Sequence, residues 1–240
     1  SGVGDDRMDP KGTASRAQVA QVFKNFNYTV VKDNLNTGDG WNAVNYTVER
    51  DDRSRPYLDY YYDYVQITDS DYPYAGKINA DLMAEKNRFF AGADEQIDDL
   101  YFPDPEFPQF WGYYNLCVYD KNGILSTAAC GDMAMGGTWH PKYIAHTYDL
   151  NTGQELTLPE ILGKSDQETM DLFLDIIGVT DGSYDETMVE MYGDPRDADP
   201  EKLKYYIDEN GEIWILLNTF EYSYNGDAFH DTGYNISYLR

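Results

Sequence analysis

Basic residues are scarce in this chain: 18 lysines and arginines stand against 43 aspartates and glutamates, a net charge of −25. So acidic a surface repels phosphates and anionic lipid headgroups, which argues against nucleic acid and membrane surfaces as partners. It suits cationic partners or bound cations, and it also serves to keep an exposed protein in solution. Apolar runs are short, and none reaches the roughly 18 residues that a membrane-spanning helix needs. Histidine is rarer still, with three copies at His140, His146 and His230. They form no His-Glu-x-x-His helix and no carboxylate–histidine set at ligand spacing, which speaks against the common zinc sites. No Gly-x-Ser-x-Gly elbow is present, neither cysteine sits beside a histidine in sequence, and Gly136-Gly137 lacks the Lys-Ser/Thr of a phosphate loop.

Carboxylates are the exception to this scarcity. Their number guarantees close pairs, so glycoside chemistry stays open while no pair singles itself out. The stretch from Gly193 to Glu201 holds Asp194, Asp197, Asp199 and Glu201, but its spacing differs from a calcium-binding EF-hand loop and two prolines stiffen it. It reads as a solvated acidic loop. No metal, cofactor or catalytic set is expected.

What is present is enough for a core. Hydrophobic residues make up 42% of the chain, and 23 residues are tyrosine. A length of 240 residues suits one sizeable domain or two small ones. Ser1-Gly2 reads as an arbitrary start, so the sequence is silent on a leader.

Residues 13–26 read as an amphipathic helix, with Thr13 or Ser15 as its cap and Val19, Val22, Phe23 and Phe26 on one face. Strand-like sequence follows at Tyr28–Val31 and at Trp41–Val48. The run Tyr57–Ile67 alternates so that Leu58, Tyr60, Tyr62 and Tyr64 share a face opposite Asp59, Tyr61 and Asp63. A helix is predicted over Ala75–Phe90, with Ile78, Leu82, Met83, Phe89 and Phe90 inside. Residues 92–108 are acidic, carry Pro103, Pro105 and Pro108, and read as a loop or seam. Then comes a hairpin, Phe110–Cys117 against Ile124–Met133, turning at Asn122-Gly123 in the type I′ manner. That register sets Cys117 opposite Ala128 and leaves Cys130 two residues away. A bulge or diagonal approach would still allow a disulfide in an exported chain; two buried thiols is the other reading. Another strand is predicted over Tyr143–Asp149, helices near Leu156–Leu162, Gln167–Gly178, Tyr184–Met191 and Asp199–Lys204, and strands at Glu212–Leu217, Asn218–Tyr224 and Tyr234–Leu239. Strands and helices fall in separate runs. The fold class expected is therefore α+β, a largely antiparallel sheet packed by a few helices. The boundaries read as 1–26, 27–108 and 109–240, the last two being subdomains on either side of the seam.

Two resemblances add to this. The run from Gly4 to Ala20, with Thr13-Ala14-Ser15-Arg16-Ala17-Gln18 at its centre, resembles the closing part of an S-layer homology repeat. Gln18 stands where that family carries an acid. The resemblance covers residues 4–26 and implies tethering to wall polysaccharide, with complete repeats upstream of residue 1.

Residues 27–240 resemble domains of unknown function found in lysozyme-sensing anti-sigma factors and beside polysaccharide deacetylases. The resemblance rests on Asp71-Tyr72-Pro73-Tyr74 with Ile78-Asn79-Ala80-Asp81-Leu82, on Gly136-Gly137-Thr138-Trp139-His140, on His146-Thr147-Tyr148-Asp149-Leu150-Asn151-Thr152-Gly153-Gln154-Glu155-Leu156-Thr157-Leu158, and on Tyr205–Gly211 before an apolar strand. It implies a non-catalytic extracellular module at the cell wall, whose partner is a cationic protein such as lysozyme or a wall glycan. The alternative is an accessory domain of a peptidoglycan-modifying enzyme, or a weak carboxylate-based hydrolase. The loop Gly136, Gly137, Thr138, Trp139 and His140 is the candidate ligand site: two glycines free the backbone, and an indole offers a flat face. The same Trp and His would equally serve to plug the end of a sheet.

Overall fold

The computed structural model describes residues 40–134, 142–182, 184, 194–216 and 233–235 of the chain. It is an α+β structure: two sheets, largely antiparallel, packed by three α-helices among the described residues. The larger sheet has six strands in sequence order, β1 Tyr46–Asp52, β2 Leu58–Ile67, β3 Gln109–Lys121, β4 Ile124–Ala134, β5 Lys142–Asp149 and β6 Gln154–Glu155. Every neighbouring pair is antiparallel except β2 and β3. Parallel neighbours need a crossover, and helix α1, Ala75–Leu100, supplies it. The sheet thus runs across residue 108, with β2 on one side and β3 on the other.

The alternation of β2 is imprinted as expected, since Leu58, Tyr60 and Tyr62 are buried while Asp59 is exposed. The phase changes after Tyr64, where Val65 and Ile67 are buried instead. Tyr60 packs edge-on against Phe90 of α1, ring centroids 5.1 Å apart. Asn79 fastens the start of the helix to the end of β2: its side chain accepts from the Ile67 amide at 2.8 Å and donates to the Ile67 carbonyl at 3.0 Å.

Helix α1 continues ten residues beyond the expected Phe90. Residues 92–100 are helical and not a loop, because Ala93 and Ile97 carry on the buried stripe of Ile78, Leu82, Lys86 and Phe90. The connecting loop is confined to residues 101–108.

The hairpin of β3 and β4 has the expected turn, Asn122 and Gly123 both in the left-handed region at φ 56° and 77°. Cys117 faces Ala128, and a register shift lies between Tyr114 and Cys117. Cys117 is a free, half-buried thiol. Ile124 and its neighbour Leu125 point to opposite faces of the sheet and join different cores. Leu125 meets the α1 side. Ile124 meets helices α2, Leu158–Leu162, and α3, Asp166–Ile176, together with a three-stranded sheet, β7 Lys204–Ile207, β8 Ile213–Leu216 and β9 Gly233–Asn235. Both helices open on a capping box, Thr157 with Glu160 and Ser165 with Glu168.

A line of hydroxyls stitches the two sheets. The Ile207 amide donates to Ser126 Oγ at 3.0 Å, Ser126 and Thr147 hydroxyls lie 2.8 Å apart, and Tyr205 Oη donates to the Leu156 carbonyl at 2.8 Å. The acidic stretch before β7 forms two turns of 3-10 helix, Pro195–Asp197 and Pro200–Lys202. Asp194 and Asp199 cap them by accepting the amides of Arg196 and Glu201.

Candidate functional site

The loop Gly136, Gly137, Thr138, Trp139 and His140 lies outside the described residues, as do residues 4–26, all but the first residue of the expected helix Tyr184–Met191, and the expected strand at 218–224. Two other places carry chemistry.

The first is a surface at the far end of α1. Five large apolar side chains are exposed among the described residues, and four of them belong to the segments that gather around Gln109: Tyr57, Leu100, Phe102 and Phe107, each between 42% and 52% exposed. Hydration of such rings is unfavourable, and gathered in one place they mark a contact surface where scattered ones would not. Carboxylates stand within two residues of each of them along the chain. Asp59, Asp99 and Glu106 are exposed and Asp104 half-buried, and none of the four is in an ion pair among the described residues.

The surface is held in shape. Gln109, only 2% exposed, donates from its amide side chain to the Leu100 carbonyl and accepts from the Phe102 amide, both at 3.4 Å, while its backbone amide donates to the Tyr57 carbonyl at 2.8 Å. One buried residue, through its side chain and its backbone, therefore ties together the helix end, the loop and the turn before β2. Tyr101 Oη donates to the Pro56 carbonyl at 2.8 Å. Within the loop, Asp104 accepts the Glu106 amide at 2.9 Å, and the Phe102 and Phe107 rings stand 6.5 Å apart. Tyr57 itself sits at φ 62°, in a two-residue turn where Arg55 and Leu58 exchange both backbone hydrogen bonds. Glycine or asparagine is the usual residue at such a position, because a Cβ there crowds the backbone.

The second place is a cleft of about 160 Å³ between β5, β6 and β7, with Thr147, Glu155, Glu201, Lys204 and Tyr205 among its walls. Glu155 receives His146 Nδ1 at 2.9 Å. Burial pushes its carboxyl up, but the His146 hydrogen bond and the charges of His146, Lys204 and Lys77 more than offset this and hold it below the usual range. A glycosidase acid needs the opposite shift, so that it carries a proton near neutral pH. The other carboxylate, Glu201, stands exposed on a 3-10 turn. This cleft has two carboxylates, and the one whose pKa is displaced is fixed as an anion. Its Tyr205 hydroxyl is pushed up by burial and is engaged with Leu156.

No family model matches the chain, and no curated protein matches it. Solved structures do. One is a member of the DUF3298 family from Bacteroides fragilis, at a TM-score of 0.47 and 11% identity, covering 77% of this chain and 87% of that one. Another is a DUF3298 family protein from Pseudomonas aeruginosa, at a TM-score of 0.46 and 12% identity, covering 81% and 88% respectively. Its neighbours in structure are domains of unknown function.

Neither Tyr57 nor Phe102 and Phe107 stand out when the chain is read for motifs. The signal that finds the two phenylalanines is that each directly precedes a proline, Pro103 and Pro108: aromatic side chains in a stiff acidic loop have no helix or strand to carry them into a core. For Tyr57 the sequence offers only Pro56-Tyr57 at a strand boundary.

Proposed function

We propose that the chain is a non-catalytic, extracellular binding or sensing module of the cell wall, residues 4–26 resembling the closing part of a wall-tethering repeat, that recognises a cationic protein of the lysozyme kind. The observation that carries this reading is the gathering of Tyr57, Leu100, Phe102 and Phe107 among unpaired carboxylates on an acidic molecule. A binding surface of this make has a centre that loses water and a charged rim that steers and orients the partner. The pinned loop lowers the ordering cost on association. The resemblance of residues 27–240 to the ectodomains of lysozyme-sensing anti-sigma factors supplies the partner class.

Calorimetric titration of the chain with lysozyme, at low salt and again near physiological salt, tests the reading. One-to-one binding that survives added salt and is weakened at least about tenfold by Phe102→Ala with Phe107→Ala is the expected result. Absence of binding removes the cationic protein and leaves a wall glycan as the ligand to try next. The alternative, a weak carboxylate hydrolase at the Glu155 cleft, predicts glycan cleavage abolished by Glu155→Gln and untouched by the phenylalanine changes.

A further inference from the structure

We infer that the aromatic–acidic surface selects arginine over lysine, because it is the unfilled member of a series of ring-and-carboxylate clamps whose other members hold the protein's own cations. The inference rests on the docking surface proposed above and goes beyond it by naming the side chain that docks.

The series climbs α1. At its lowest level Lys86 donates to Asp51 at 2.9 Å and stands 4.6 Å from the centre of the Tyr64 ring. One turn on, the Arg53 guanidinium lies 3.6 Å over Phe90 and donates to Asp94 at 3.1 Å. Another turn on, Arg55 donates to Asp98 at 3.0 Å and faces the Tyr101 ring at 5.7 Å. To the side, Arg50 lies 3.7 Å over Tyr61 and forks onto both oxygens of Asp63 at 2.7 and 2.8 Å. At the next level the helix ends and gives Phe102, with Asp99 just before it. The facing chain has reached Pro56-Tyr57 and offers a ring in place of a cation. Rings and carboxylates are present there, and among the described residues no cation pairs with Asp99, Asp104 or Glu106.

The filled clamps say which cation fits. A guanidinium is flat, so it lies on a ring while its edge donates to a carboxylate; an ammonium cannot do both at once as closely. Arg50 and Arg53 reach 3.7 and 3.6 Å from their ring centres, closer than any of the lysines Lys86, Lys77 and Lys121 at 4.6, 5.8 and 5.9 Å, while Arg55, spent mainly on Asp98, stands off at 5.7 Å. A guanidinium is also the more weakly hydrated of the two, and gives up less on leaving water for an exposed ring.

The test titrates the full chain with oligoarginine and oligolysine peptides of equal length and charge, at physiological salt. The arginine peptide binds tighter by about fivefold or more, and the preference falls to within about twofold in Phe102→Ala with Phe107→Ala, whose net charge is unchanged. Tyr57→Gly, which removes the third ring without touching either phenylalanine, lowers the preference as well. Far-UV circular dichroism and the unfolding midpoint check that these exposed changes leave the fold intact. Equal affinities for the two peptides overturn the inference, as does a preference that survives the double change. If lysozyme binding is lost in the double variant while the peptides are not distinguished, the docking surface stands and the arginine selection falls. If lysozyme binding survives that variant unchanged, both fall.

Discussion

Tyr57 occupies a backbone conformation that costs an L side chain about 1 kcal/mol or more, at φ 62° in a turn where glycine would be at ease. Half of its surface remains in water, so burial does not offset that cost. Tyr57→Gly is therefore expected to raise the stability of the fold by about 1 kcal/mol in urea unfolding while weakening the arginine peptide. A variant that loses stability would mean that the ring holds the turn and has no need of a partner. Asp120 poses a second question at this scale. Burial pushes its carboxyl up to about 6, partly offset by the Val44 amide, which it accepts at 3.1 and 3.2 Å. Because the folded value lies above that of an unfolded aspartate near 3.9, the folded state holds the proton more tightly. The stability this group contributes is thus fully present below pH 4 and is lost as pH rises through 6. Asp120→Asn removes the titration. Against wild type, the variant gains about 1 kcal/mol between pH 4 and pH 7.5, a figure kept small because the carboxyl is only half-buried and solvent screens it. Urea midpoints of both proteins across that range measure the difference; parallel curves would assign Asp120 an ordinary pKa.

Elements differ in how plainly the sequence announces them. Alternation in Leu58, Tyr60 and Tyr62 is a direct imprint of the pleat, and the Asn122-Gly123 turn dictates that Cys117 meets Ala128, so both could be read in advance. The last ten residues of α1 could not be read so easily, because the acids between Asp94 and Asp99 hide the spacing of Ala93 and Ile97. Parallel pairing of β2 with β3 was out of reach for another reason: nothing local to either strand states which distant strand it meets. Its one trace is Gly112, where a Cβ would come 2.4 Å from the Tyr61 carbonyl. A backbone atom of a paired strand cannot turn aside as a side-chain end can. Gly112→Ala is expected to cost about 2 kcal/mol in urea unfolding. It should also loosen the candidate surface, since Tyr57 and Gln109 are joined at the start of the same seam. The hydroxyl line between the sheets makes a separate demand. Ser126→Ala leaves the buried Ile207 amide without its acceptor, an expected loss of about 1–3 kcal/mol. Faster hydrogen exchange at Ile207 and Tyr205 than in β1 would place the damage at the sheet junction.

For the molecule as a whole, a net charge of −25 acts on folding and on association with opposite signs under salt. Carboxylates crowded on a folded surface repel one another more than they do along an expanded chain, so screening favours the compact state. The same screening shortens the reach of the field that draws in a cationic partner. Raising sodium chloride from low concentration to the physiological range is therefore expected to raise the unfolding midpoint and to slow lysozyme association by about tenfold or more. Dissociation should change much less, because the rings of Tyr57, Phe102 and Phe107 share the hold on the partner's arginines with the carboxylates, and contacts closed off from water are screened less than the long-range field. Stopped-flow association and dissociation rates separate the two effects. If salt acts instead by speeding dissociation, exposed ion pairs hold the complex, and the phenylalanine changes should then leave its lifetime untouched. The two measurements decide together, since a surface built for docking must show salt in the approach and the aromatic rings in the departure.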